Sequence, residues 1–282
     1  MILTSPDVAC AIEGAEAHHL RVQVQTWQAL QAGDAHVVEI GGGVAAFTEP
    51  LFGRKLNHVT GLGLAGPVDA DALAALEAAY AARGLGVEID LCPHAAPGLL
   101  PLLAARGYAV NAFSNTYART LDEVAPAGTA LPGLEVLQGA DAAGLFIEAS
   151  IAGFSLQAHD RPRELLAALA RIAHARADTS LFVARLDGQL AGSAGLSVAD
   201  TPRGRIAALY IASTLPPFRG RGVQAALLHA RLAAARAAGC ALAVVMARPG
   251  NTSARNTERA GFRLAFTKAT FARPRRPSIQ AG

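Results

Sequence analysis

Apolar residues return every three to four positions from Ile12 to Leu30, the rhythm of a helix with one buried face. The pattern then shortens to alternation. "HVVEIGGGVAAFTE" predicts two strands joined at Gly41, Gly42 and Gly43, and "NHVTGLGLAG" predicts a third. Asp69 or Asp71 can cap a following helix that stops at Gly84. "VEIDLC" predicts a strand, "PGLLPLLAARG" a short helix, and "AVNAFSNTYA" an edge or hairpin strand.

Pro126 and Pro132, with glycines nearby, interrupt the periodicity of "SNTYARTLDEVAPAGTALPGLE" in the manner of a linker. The boundary is placed near Gly133, dividing the chain into residues 1–132 and 133–282. Beyond it come the strand "LEVLQG", helices in "DAAGLFIEASIAGF" and "PRELLAALARIAHA", and a hairpin turning at Asp187-Gly188, a pair suited to positive φ. The strand "RIAALYIAST" leads into a long helix after Gly222. It is followed by the strand "ALAVVMA", a helix from about Ser253 to Ala260, and the strand "RLAFTKATFA". Both halves end on strand, helix, strand, short helix and strand, and "ARGY" and "RAGF" recur 154 residues apart, which suggests an internal repeat of a mixed α/β unit.

Composition narrows the classes. The 282 residues are 52% apolar, yet no run of about 20 apolar residues exists to span a bilayer. Cys10, Cys92 and Cys240 are too scattered for a disulfide framework or a thiolate metal site, and the start lacks a secretion signal, so the expected compartment is the cytoplasm. A net charge of +3, concentrated in "FARPRRP", comes without interleaved aromatics and does not predict nucleic-acid binding.

The chemistry concentrates in "LPPFRGRGVQAALL". Gly220 and Gly222 remove side chains where a strand passes into a helix, so the helix's unbonded amides can converge on an anion. Arg219 and Arg221 add forked donors suited to phosphate oxygens. The segment lacks the Lys-Ser/Thr ending of a triphosphate loop and the three-glycine spacing of a dinucleotide fingerprint.

This stretch resembles the acyl-CoA signature of the GCN5-related N-acetyltransferase superfamily through Pro216, Arg219 and Gly222, with Gln224 where a small residue is usual. "ALAVVMARPGNTSARNTERAGFRLAF" resembles the family's next strand and helix. The resemblance implies two acyl-CoA N-acyltransferase-like units in tandem, each a twisted, mostly antiparallel sheet flanked by helices. It implies acetyl-CoA as cofactor. Ser213, Thr214 and Leu215 would meet the pantetheine arm, and the amides of Arg219, Gly220, Arg221, Gly222, Val223, Gln224 and Ala225 the diphosphate. Asn251, Ser253 and Asn256 are further cofactor candidates, with helix capping the competing role of Ser253.

The catalytic group is less plain. Relatives often carry a tyrosine four residues before the Gly of the Gly-Phe pair, but Thr257 stands there. Tyr210 is the other candidate proton donor, with Glu148, Asp200 and His229 behind it. The implied reaction is direct attack of a primary amine, from a small molecule, amino acid or peptide, on the thioester; a CoA-binding sensor without transferase chemistry is the alternative. The chain is expected as a monomer or homodimer. In residues 1–132 the counterpart of the anion loop is "LAGPVDADALAAL", where Asp69 and Asp71 would repel phosphate, so this half is read as a degenerate unit that completes the acceptor cleft or seals a sheet edge. His36, Asn57 and His58 are expected mainly in structural roles. His18 and His19 lack a third ligand at metal spacing, and no metal site is expected.

Overall fold

The computed structural model describes residues 4–31, 33–121, 131–155 and 161–273. Residues 122–130 of the linker, with Pro126, and the basic end beyond 273 lie outside the described residues.

Helix α1 (Pro6–Gln31) begins earlier than its apolar period suggests. Ser5 accepts from the Val8 amide at 3.4 Å, and Pro6 opens the first turn, where a missing N–H costs nothing. Strands β1 (His36–Ile40) and β2 (Gly43–Phe47) follow. The third strand, β3 (Val59–Thr60), is far shorter than expected, because Gly61 and Gly63 at φ 73° and 79° turn the chain out of the extended form. Then come α2 (Ala70–Ala82), β4 (Glu88–Leu91), α3 (Leu99–Ala105) and β5 (Ala109–Thr120).

The second half contains β6 (Leu134–Gln138), α4 (Ala140–Ser155), α5 (Arg163–Ala175), β7 (Thr179–Leu186), β8 (Gln189–Thr201) and β9 (Gly204–Thr214). Asp187 and Gly188, at φ 53° and 77°, make the predicted turn between β7 and β8. Helix α6 (Val223–Ala237), β10 (Cys240–Ala247), α7 (Thr252–Arg259) and β11 (Arg263–Ala272) complete the chain.

All eleven strands join one sheet in the order β1-β2-β3-β4-β11-β5-β10-β9-β8-β7-β6. The two units are therefore fused at their centre, where each half lends its last strand to the other. β11 pairs with β4 of the first half and β5 with β10 of the second, and the two exchanged strands pair with each other. This corrects the reading of "AVNAFSNTYA" as an edge or hairpin strand. The first residues assigned to the linker, from Ser114 to Thr120, belong to the same strand.

Alternate residues feed opposite layers. Phe182 and Ala184 of β7 pack with α6, while Leu181 and Val183 pack with α4 and α5. In β2, Ala45 and Phe47 pack with α2 and α3, and Val44 and Ala46 pack with α1 and α5. Helices α2, α3, α6 and α7 thus cover one face and α1, α4 and α5 the other. Helix α1 touches strands of both halves, including β2 and β8.

A buried ionic group fastens α1 to the exchanged strand. Lys268 of β11 lies 3.2 Å from Glu13 and closer still to Glu16, with Lys268 and Glu13 essentially inaccessible. Burial pushes the Glu13 carboxyl up to about 7 against the pull of Lys268. Burial also works to lower the Lys268 amine, but Glu13, Glu16 and Asp90 overcome it and hold the amine well above its ordinary value.

Candidate active site

At the end of β9 the chain makes a short 3-10 turn, Pro216–Phe218, and enters α6 through Gly220 and Gly222 at φ 74° and 80°. Both glycines occupy backbone territory that side chains resist. Gly222 caps α6 without any side-chain acceptor, so the first amides of the helix are left for another partner.

They open onto a cavity of about 710 Å³. Ala212, Ser213 and Thr214 of β9 form one wall, and Val223, Gln224, Ala225, Leu228 and His229 of α6 another. Thr252, Ser253, Asn256, Arg259 and Ala260 of α7 and its end close the far side. Arg219 and Arg259 line the cavity, and among the described residues no carboxylate does. With the uncapped helix start, this donor set suits a polyanion.

The wall strand is irregular where it passes the cavity. Ser193 opposes Ser213 and Gly195 opposes Tyr210, so Ile211 and Ala212 stand opposite Ala194 alone in a β-bulge. Ile211 sits at φ 46°, a strained value for a β-branched residue.

On the other face, β9 and β10 part company after the Ala208–Val244 pair. A small pocket of about 30 Å³ opens there, between Tyr210 and Met246 of the two strands and Ile12, Glu16 and His19 of α1. Its walls therefore come from both halves of the chain.

Residues 147–262, which hold this cavity, match the model of the acetyltransferase (GNAT) family. This segment of the second half is therefore similar to a GNAT domain. No curated protein matches the chain in sequence. Among solved structures, a GCN5-related N-acetyltransferase from Kribbella flavida is 20% identical with a TM-score of 0.64, covering 92% of this chain and 95% of its own. A tandem GNAT protein from the clavulanic acid biosynthesis pathway is 16% identical with a TM-score of 0.59, covering 86% and 82%. A GCN5-related N-acetyltransferase from Sphaerobacter thermophilus is 16% identical with a TM-score of 0.54, covering 87% and 77%. Because these likenesses extend over both halves, the first half is GNAT-like in fold as well.

Within the matched segment, the cavity gathers Ser213, Thr214, Arg219, Gly220, Gly222, Val223, Gln224, Ala225, Ser253 and Asn256 from the sequence candidates. Three others do not line it. Leu215 is tied to β8 through its amide and the Ala191 carbonyl at 2.9 Å, and Arg221 turns to Asp187 at 3.1 Å. Asn251, rather than Ser253, caps α7, accepting from the Ala254 amide at 2.7 Å. Phe218, His229 and Arg259 were not among the cofactor candidates. Helical spacing could have found the last, since Thr252, Asn256 and Arg259 recur on one face of α7.

The candidate proton donors fare differently. Thr257 is buried and does not line the cavity. Tyr210 lies on the α1 face, its hydroxyl 2.8 Å from Thr179 and its ring edge-on to His19 at a centroid distance of 4.4 Å. Burial raises its phenol above the ordinary value. His19 accepts at Nδ1 from the Arg176 guanidinium at 3.1 Å, which leaves its proton on Nε2. Burial first, then Arg176 and His18, hold this imidazole well below its ordinary value of 6.5. Glu148 is exposed, and Asp200 pairs with Arg205 at 3.0 Å on the surface.

In the first half, Asp69 caps α2 by accepting from the Ala72 amide at 2.7 Å, as its sequence predicts. His36 stacks on Phe47, while Asn57 ties its own turn through the Thr48 amide at 2.6 Å. His58 joins Glu16 and Asp90 in a trio whose ligand atoms lie within 4.8 Å of one another. Lys268 already bonds Glu16 and Arg54 bonds Asp90, so the charge of both carboxylates is balanced inside the protein.

Burial also lowers His58, against the pull of Asp90. The unfolded chain takes up protons near pH 6.5 that His19 and His58 refuse in the fold, so their contribution is intact above that value and is lost as pH falls below it. Glu13, which protonates near 7 in the fold, acts in the opposite sense. The midpoint of urea unfolding should therefore drop less between pH 7 and pH 5 in a His19→Asn, His58→Asn variant than in the wild type. An identical drop in both would contradict the assignment.

Proposed function

We propose that the second half binds acetyl-CoA and transfers its acetyl group to a primary amine. One observation carries the reading: an uncapped helix start opens onto a cavity lined, among the described residues, by two arginines and no carboxylate. When bound, acetyl-CoA supplies an activated thioester acyl group. The amides at the start of α6 and the Arg219 guanidinium hold the diphosphate, with Arg259 supporting the negative charge from α7. Ser213 and Thr214 align the pantetheine arm along the wall of β9, and the bulge at Ile211 and Ala212 turns backbone away from the β8 ladder toward the reacting end.

The acceptor approaches on the opposite face, where β9 and β10 separate. There the first half contributes Ile12, Glu16 and His19, so it completes the acceptor side while its own helix start is closed by Asp69. The pocket's small size and partly polar lining suit the amino end of a small molecule, amino acid or peptide. Orientation and backbone dipoles carry the chemistry without a strong acid. The free cysteines suit a reducing cytoplasm. A second reading, a CoA-binding sensor without turnover, is favoured by the withdrawal of Thr257 from the cavity.

Calorimetric titration with acetyl-CoA tests the cofactor, and release of free thiol across a panel of primary amines tests the transfer. Arg219→Ala should weaken acetyl-CoA binding roughly 10- to 100-fold, the worth of a charge-assisted phosphate contact. Arg221→Ala, which breaks only a surface pair with Asp187, should change it less than about threefold. Tight binding with no amine stimulating thiol release would favour the sensor. Absence of binding would overturn both readings.

A further inference from the structure

Arg231 of α6 is the largest fully buried side chain among the described residues, at 2% exposure. Among the described residues no carboxylate accompanies it. Burial alone accounts for its lowered affinity for its proton, down to about 9, with no opposing charge to offset it. Its Nε donates to the Leu227 carbonyl one turn back at 3.1 Å, and a second nitrogen donates to the Gly195 carbonyl at 3.4 Å. A cation buried at this cost without an ion partner calls for a role beyond packing.

Gly195 is the β8 residue opposite Tyr210, at the edge of the bulge that contains Ile211 and Ala212. A Cβ on Gly195 would come within 3.0 Å of Ile211 and 3.1 Å of the Tyr210 ring, so the absence of a side chain there makes room for the displaced β9 residues. The bulge is strained at Ile211, and strain of this kind persists only where its surroundings enforce it. Arg231 reaches it from the helix whose start forms the anion site.

We infer that Arg231 is a positioning residue: by holding the Gly195 carbonyl it keeps the Ile211–Ala212 bulge in its strained form and ties that bulge to α6. This rests on the reading that the second half binds acetyl-CoA. It assigns the buried arginine to the thioester end of the cavity, whereas Arg219 and the α6 amides serve the phosphate end.

The test uses the full-length protein and acetyl-CoA labelled with ¹³C at the acetyl carbonyl. In the wild type, the infrared band of the bound thioester carbonyl should lie below that of the free cofactor. In Arg231→Met it should move back toward the free position while the calorimetric Kd changes less than about threefold. Arg231→Lys, which retains a cation and a donor, should recover part of the displacement and serves as the folded probe if the Met variant does not fold. In an Ile211→Gly background, where the bulge needs no enforcement, the Met and Lys substitutions should have little further effect on the band. An unmoved band in a folded Arg231 variant that binds acetyl-CoA would overturn this inference alone. Failure of the wild type to bind would remove the reading beneath it as well.

Discussion

Replacing Gly220 and Gly222 together with valine is expected to weaken acetyl-CoA binding roughly 100-fold while leaving the helical content of the protein nearly unchanged. The two sites have φ of 74° and 80°, where each β-branched residue costs about 1–2 kcal/mol, so the summed strain corresponds to a factor of roughly 30 to 1,000 in affinity. Crowding is the smaller part. A Cβ on Gly222 would run into the end of Leu131, but that exposed side chain can swing aside, and among the described residues nothing lies within 4 Å of a Cβ on Gly220. The loop escapes the strain by flipping its peptides, which turns the helix amides away from the cavity. Gly239→Ala is the control, since it places comparable strain at the far end of α6, at φ 71°, and should lower stability without altering affinity. Calorimetry and circular dichroism on the three proteins check the result, and undiminished binding in the double variant would remove the anion site from the start of α6.

The other large effect concerns the fold. Lys268→Met leaves Glu13 and Glu16 facing each other in the interior without their shared cation, and breaking a buried pair in this way costs about 3–5 kcal/mol. The urea midpoint should fall accordingly at pH 8. Part of the loss should return as the pH is lowered, because the unpaired carboxylates hold protons more tightly folded than unfolded, and stability then rises on acidification through the folded values. A variant equally unstable at pH 8 and pH 5.5 would show that packing, rather than charge, dominates this contact.

The order of elements was legible because each rests on local signals: apolar periods, the Asp187-Gly188 turn, and glycines after helices. The anion loop was legible for the same reason, since two glycines and a proline specify its backbone within seven residues. What could not be read was non-local. Alternation in "AVNAFSNTYA" announces a strand but carries no information about its neighbours, so its position between β11 and β10 was missed. The pairing of Lys268 with Glu13 and Glu16, more than 250 residues away, is likewise invisible to spacing. Arg231 falls on a helix full of alanine and leucine, where an arginine reads as a solvated position. Only the packing of α6 against β8 puts it inside.

The exchange of β5 and β11 also bears on how the molecule is born. Strand β4 is made early, yet its neighbour in the finished sheet is β11, which runs as far along the chain as Ala272. At about 5–20 residues per second, the nascent first half waits on the order of ten seconds or more with that flank uncovered. Until β11 leaves the ribosome and threads into place, synthesis cannot deliver a closed first unit.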